Sequence, residues 1–123
     1  MRSAERRKVN VLEMKCLRSL VGVSQMDRVR KEVRRRGGID RDLAGRADQR
    51  VLRWFGHVER MDEYRMARRG LMAEVSEGRV RGRPRLGMMD GVKVALGHRG
   101  MTVEAARQCT KDQKEWRPWY ICN

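Results

Sequence analysis

Aromatic side chains are scarce in this sequence: one Phe, two Tyr and three Trp among 123 residues. That scarcity excludes a large aromatic core and leaves room for one modest core in a chain of single-domain length or less. Cysteine is scarce as well. Cys16, Cys109 and Cys122 are odd in number and far apart, and no two share a zinc-ligand spacing, so neither a disulfide framework nor a zinc site is expected. No apolar run approaches the length that spans a bilayer, and the charged N-terminus has no uninterrupted apolar stretch of about 7–15 residues. The expectation is an intracellular chain, nuclear or cytoplasmic, that is not secreted and has no membrane partner. Clean alternation at period two is also missing, which removes β-structure from consideration. The expected class is all-α.

Acidic charge is the other shortage. Sixteen Asp and Glu face 30 Lys and Arg, a formal net charge of +14. A surface that positive attracts polyanions by counterion release, so nucleic acid is the first partner to consider. Of the basic residues 24 are Arg and 6 Lys. Guanidinium forks suit phosphates and base edges better than lysine point charges do, although codon bias in a GC-rich gene produces the same excess. Residues 1–87 hold 24 basic and 12 acidic side chains, and residues 88–123 hold 6 and 4. Binding is therefore expected in the first two thirds.

Punctuation by Gly, Pro and capping residues predicts a small bundle of about five to six helices with frayed ends. In the first, 6–22, Val9, Leu12, Cys16 and Leu20 step along one face, with Leu17 and Val21 widening it. Ser24 and Asp27 form a capping-box pattern for a second helix, with Met26, Val29 and Val33 inward and Gly37-Gly38 as its close. Asp40 is the expected cap of a third, running to about Asp62, with a break near Gly45 and Gly56 as a place for close helix packing. A fourth covers about 63–75, with Met66, Ala67, Leu71 and Val75 inward. Residues 76–87, with Gly78, Gly82, Pro84 and Gly87, read as an exposed loop. Beyond it, Asp90–Leu96 ends at Gly97, and Thr102 caps a final helix, 103–117, that Pro118 stops. The expected organisation is a basic helical region 1–75, an Arg/Gly/Pro-rich loop 76–87 and a helical extension 88–123.

Residues 50–61 carry the sharpest local pattern. Val51, Leu52, Phe55, Val58 and Met61 make an apolar stripe, while Arg50, Arg53, His57 and Arg60 recur on the same period, shifted round the cylinder. The stripe reads as core and the basic face as a phosphate-binding surface. Trp54, at the seam, either fills the edge of the core or offers a platform for a base. In the loop, Arg81-Gly82-Arg83-Pro84 has the look of an AT-hook, a segment that lies in the minor groove of A·T-rich DNA. Gly82 lets the backbone approach the groove floor, Pro84 favours extended backbone at Arg83, and Arg79 and Arg85 add phosphate contacts. A basic linker touching any phosphate backbone explains the same residues. Arg34, Arg35 and Arg36 fit phosphate contacts, a nuclear-localisation cluster, or cations favoured at a helix C-terminus.

Several of these segments, in order, resemble one family. V-L-E-M-K-C-L-R-S-L-V-G-V-S at 11–24, D-R-V-R at 27–30, V-R-R-R-G-G-I at 33–39, L-R-W-F-G-H-V-E-R-M at 52–61, G-R-V-R-G-R-P-R at 78–85 and the D-x-x-x-W-R of Asp112, Trp116 and Arg117 are similar to the post-palm region of reverse transcriptases from non-LTR, LINE-type retrotransposons. The likeness spans about residues 6–117. Departures are a one-residue deficit at Lys31-Glu32, Met88 where the family has Trp, Gln113 where it favours Arg, and a divergent tail. The resemblance implies thumb-like helices followed by a C-terminal extension that grips RNA or DNA while a separate palm does the chemistry.

That palm needs clustered carboxylates holding magnesium, and the family's Tyr-x-Asp-Asp turn is absent here. Asp62-Glu63-Tyr64 has the wrong order, and His57 and His98 have no ligand partner at a sequence spacing that suggests a metal. The expectation is a chain with no catalytic activity, no cofactor and no small-molecule substrate, whose partners are RNA or DNA and the missing polymerase palm. Two rivals stand beside it: a decayed remnant or protein-interaction fragment with exposed apolar faces, and a minor-groove DNA binder using the hook alone.

Overall fold

The computed structural model describes residues 3–27, 30–39, 41–73, 82 and 87–121. Among them are seven α-helices and no strand: α1 (Ser3–Val21), α2 (Arg30–Arg36), α3 (Leu43–Glu59), α4 (Met66–Met72), α5 (Met88–Gly97), α6 (Val103–Thr110) and α7 (Gln113–Ile121). The all-α class stands, with one helix more than expected. The chain divides into two units, Met1–Ala47 and Asp48–Asn123, with the boundary inside α3. Of the expected 76–87 loop only Gly82 and Gly87 are described.

In the first unit Met14 and Leu17 of α1 pack with Val33 of α2, and Val23 and Ile39 fold against them. Both apolar returns come from the same device. Gly22 and Gly38 have φ of 71° and 66°, left-handed values that glycine adopts at no steric cost. They let the Val23 amide reach the Arg18 carbonyl, and the Ile39 amide the Arg34 carbonyl, each at 3.0 Å. These are Schellman closures, in which the residue after the glycine is apolar and covers the last turn. Gly37-Gly38 thus ends α2 as the sequence suggests.

Other expectations in this unit are corrected. The buried face of α1 is turned from the predicted stripe: Leu12 is 63% and Leu20 82% exposed, and Cys16 is exposed too. The face that is buried is the one met by Val33, the single buried residue of α2, at Met14 and Leu17. Met26, expected inside, is exposed because α2 starts four residues later, at Arg30. The Ser24 amide donates to Asp27 Oδ2 at 3.2 Å and the Asp27 amide to the Ser24 carbonyl at 3.3 Å, while Ser24 Oγ accepts from the Met26 amide, so the pair builds a turn ahead of the helix rather than a capping box. Asp40 and Val29 lie outside the described residues; α3 is capped by Asp42, whose Oδ1 accepts from the Gly45 amide at 3.0 Å. That capping carboxylate occupies the space a side chain at Gly45 would need, so the glycine keeps α3 continuous where a break was expected.

The second unit holds the larger core: Leu52, Phe55 and Val58 of α3, Leu71 of α4, Val92, Ala95 and Leu96 of α5, Ala106 of α6, and Trp116 and Tyr120 of α7. Met66, expected inside α4, is exposed, and Val75 lies outside the described residues. Helix ends here are closed by side chains. The Arg68 guanidinium donates to the Glu59 and Met61 carbonyls at the C-terminal end of α3, placing a cation where the helix dipole favours one. Asp90 accepts from the Gly87 amide at 2.7 Å and starts α5 at Met88, two residues ahead of expectation. Thr102 caps α6 through its Oγ1, as expected. Gly97 lies within α5; the left-handed glycine after it is Gly100, with φ 68°.

The expected 103–117 helix is two helices because Asp112 starts a new one, its Oδ1 accepting the Lys114 amide at 2.8 Å and its carbonyl the Trp116 amide at 3.0 Å. Pro118 lies inside α7 rather than ending it. The donor it lacks would have gone to Lys114, an exposed residue where water can replace it. The helix continues far enough to bury Tyr120 one turn after Trp116.

Trp116 is fully buried. Its ring meets Phe55 edge-on, centroids 6.0 Å apart at 64°, and its Nε1 donates to the Leu52 carbonyl at 3.0 Å. Gly56 makes this approach achievable: a Cβ there would overlap the indole nitrogen. Gly56→Ala should therefore force the indole away, combining overpacking with a lost buried hydrogen bond, roughly 3 kcal/mol together. A thermal melt followed by circular dichroism should show a fall of about 10 °C or more. An unchanged midpoint would contradict this packing.

Candidate nucleic-acid interface

The predicted site residues separate into paired and unpaired sets. In the first unit, Arg34 Nη2 lies 2.8 Å from Glu13 Oε2 of α1, with the two side chains only 19% and 9% exposed. Arg34 thus ties α1 to α2. Arg35 straddles Glu32 with bonds of 2.8 and 2.6 Å, and Arg36 Nε adds another at 2.8 Å. Hydrogen bonds from Arg35 and then Arg36 hold the Glu32 carboxyl well below the usual carboxylate range, from 4.5 to about 2. Both arginines are exposed, yet each already has an anionic partner on its own helix.

A groove of about 730 Å3 in this unit, assembled by tertiary packing, brings together Arg6, Arg7, Arg30 and Arg34. Asp42 lies in the same groove, 3.9 Å from Arg6 and accepting from Asn10 Nδ2 at 2.8 Å.

Arg7 and Arg30 of this groove have no ion pair among the described residues, but a carboxylate, Asp42, lies among its cations; the groove of the second unit has no acidic side chain in its lining. Arg50, Arg53, Trp54 and His57 of α3 and Arg60 just beyond its end line a groove of about 740 Å3 with Gln113, Arg117, Tyr120 and Ile121 of α7. All five residues predicted from the 50–61 pattern are therefore brought together. Among the described residues, no ion pair engages Arg50, Arg53 or Arg117. Arg60 is partly committed, its Nη1 donating to the Thr110 carbonyl at the end of α6 at 3.1 Å. Trp54 is half-buried: it packs against the core, as its core-edge reading expects, and also lines the groove.

Sequence reasoning did not place Arg117, Gln113 or Tyr120 in the site, because α7 lies some sixty residues beyond α3 in the chain and only tertiary packing joins them. A signal was present in D-x-x-x-W-R. Asp112 caps α7, Trp116 four residues on enters the core, and Arg117, rotated by one position, emerges at the groove.

Arg79, Arg81, Arg83 and Arg85 lie outside the described residues. Gly82 between them is exposed with φ 123°, a backbone conformation open mainly to glycine. Elsewhere, the His98 ring nitrogen Nδ1 lies 2.9 Å from Oδ2 of buried Asp48, a pair fifty residues apart in sequence. No group of three His, Cys, Asp or Glu side chains among the described residues is placed to hold a metal ion. No helix among them is long and apolar enough to cross a membrane.

No protein-family model, no curated protein and no solved structure matches this chain.

The Glu32 clamp has a direct check. Because its folded-state pKa is depressed, its stabilising contribution is full above about pH 4.5 and is lost as pH falls through about 2. Carboxyl chemical shifts followed by NMR should give Glu32 a midpoint near 2. A midpoint near 4.5 would mean that Arg35 and Arg36 are not held by it and are free for other anions.

Proposed function

We propose that this chain is a non-catalytic, nucleic-acid-binding segment of the kind that follows the palm in LINE-type reverse transcriptases, and that it holds RNA or DNA in the groove flanked by α3 and α7. The observation that carries the reading is the cluster of Arg50, Arg53 and Arg117, unpaired among the described residues, with His57 and Arg60 beside them on one concave surface. Guanidinium groups without anionic partners can meet phosphate with no ion pair to give up, whereas Arg34, Arg35 and Arg36 already share Glu13 and Glu32. The family origin rests on the ordered motifs, and the absence of the Tyr-x-Asp-Asp turn supports a role without polymerase chemistry.

A second reading is favoured by one feature of α1. Leu12, Cys16 and Leu20 form an exposed stripe on that helix, as expected of a segment that docks on a further protein domain such as the palm.

The test is a fluorescence-anisotropy titration of a labelled RNA–DNA primer-template across a salt series. Binding should saturate, and log affinity should fall steeply with log salt. Changing Arg50, Arg53 and Arg117 to Ala should flatten that slope by about 2–3, the share of three phosphate contacts, whereas changing Arg35 and Arg36 to Ala should leave most of it. Absence of saturable binding at about 50 mM salt by folded, monodisperse protein would sink the proposal and leave the docking reading in its place.

A further inference from the structure

The nucleic-acid reading does not by itself say which form of nucleic acid fits. We infer that the groove flanked by α3 and α7 selects single-stranded RNA or DNA over duplex, with Trp54 as the platform for one base; the inference rests on the reading above and narrows it. Three features of the groove support it.

The basic residues line a hollow of about 740 Å3, with Arg50, Arg53, His57 and Arg60 contributed by α3 and its end and Arg117 by α7. A duplex offers two rows of phosphates on a broad cylinder and keeps its base faces stacked inside. A single strand can enter a hollow of this size and present base and phosphate together. The groove also contains an aromatic ring with a suitable environment. Trp54 is half-buried, so packing against the core limits its rotamers, while the rest of the ring remains at the groove. An indole held in this way pays little entropy to accept a base.

The third feature is the arrangement around it. Arg50 is one helical turn before Trp54, on the same side of α3, and Arg53 is adjacent in sequence, while Arg117 reaches the groove from α7. Cations from both helices and an aromatic in the same lining match what a strand with exposed bases requires. Trp116 cannot serve, being fully enclosed in the core. Tyr120, only 8% exposed, contributes floor to the groove rather than a free face.

The experiment compares labelled 12-mers of U and of dT with a 12-base-pair DNA duplex, by anisotropy at about 100 mM salt with the full chain. At least one single strand should bind roughly tenfold more tightly than the duplex, and Trp fluorescence should be quenched on binding. Trp54→Leu, which keeps apolar contact with the core but removes the π-face, should weaken single-strand binding roughly tenfold and duplex binding little. Trp54→Phe should restore much of the loss, and a thermal melt of each variant separates misfolding from a lost platform. Duplex binding equal to or tighter than both single strands would overturn this inference while leaving the broader reading intact. So would equal weakening of both forms in Trp54→Leu. Binding to none of the three would overturn both. The U and dT arms decide whether the strand is RNA or DNA.

Discussion

The second unit depends on one contact: the Trp116 indole lying against Gly56 and donating to the Leu52 carbonyl. A helix carbonyl is normally screened by the side chain four residues later. With glycine at 56 there is no such screen, and the largest side chain of the core can reach the backbone of α3. This close approach lets Phe55 and Trp116 meet edge-on and brings Tyr120 into the same cluster. It also sets the position of α7 and with it Arg117. The groove is thus a consequence of core packing: remove the contact, and Arg117 loses its place beside Arg50 and Arg53.

Charge in this protein is abundant but unevenly committed. Arg34, Arg35, Arg36, Arg60 and Arg68 act on the protein itself, tying helices together, sharing a carboxylate, or capping exposed carbonyls. Each such role uses part of the guanidinium's donor capacity internally. Net charge alone therefore overstates how much of the surface can grip a polyanion. Among the predicted residues that the structure describes, Arg50 and Arg53 retain that capacity, and the packing of α7 adds Arg117 to them.

Local chemistry was well read from sequence. The helical class, the Gly37-Gly38 closure, the Thr102 cap, the apolar stripe of 50–61 and its basic face all follow from residues within a turn or two of one another. Features set by distant neighbours were less legible. The stripe at Leu12, Cys16 and Leu20 looked like core because periodicity reports that a face is apolar, not that anything covers it. The restart of a helix at Asp112 and its passage through Pro118 are not legible locally, because a cap and a breaker six residues apart leave open where a helix restarts, and burial of Trp116 and Tyr120 decides the matter. Arg34 looked like its neighbours in sequence, yet a carboxylate on another helix separates its role from theirs.

The claim that the unpaired guanidinium groups of the groove flanked by α3 and α7, not basic residues in general, define the interface is tested most directly by amide chemical-shift mapping. A 15N-labelled sample would be titrated with a short single-stranded oligonucleotide at moderate salt. The account predicts perturbations concentrated at Arg50, Arg53, Trp54 and His57 on α3 and at Gln113 and Arg117 on α7, with Arg34, Arg35 and Arg36 little moved. Shifts centred on Arg34–Arg36, or spread evenly over every arginine, would contradict it.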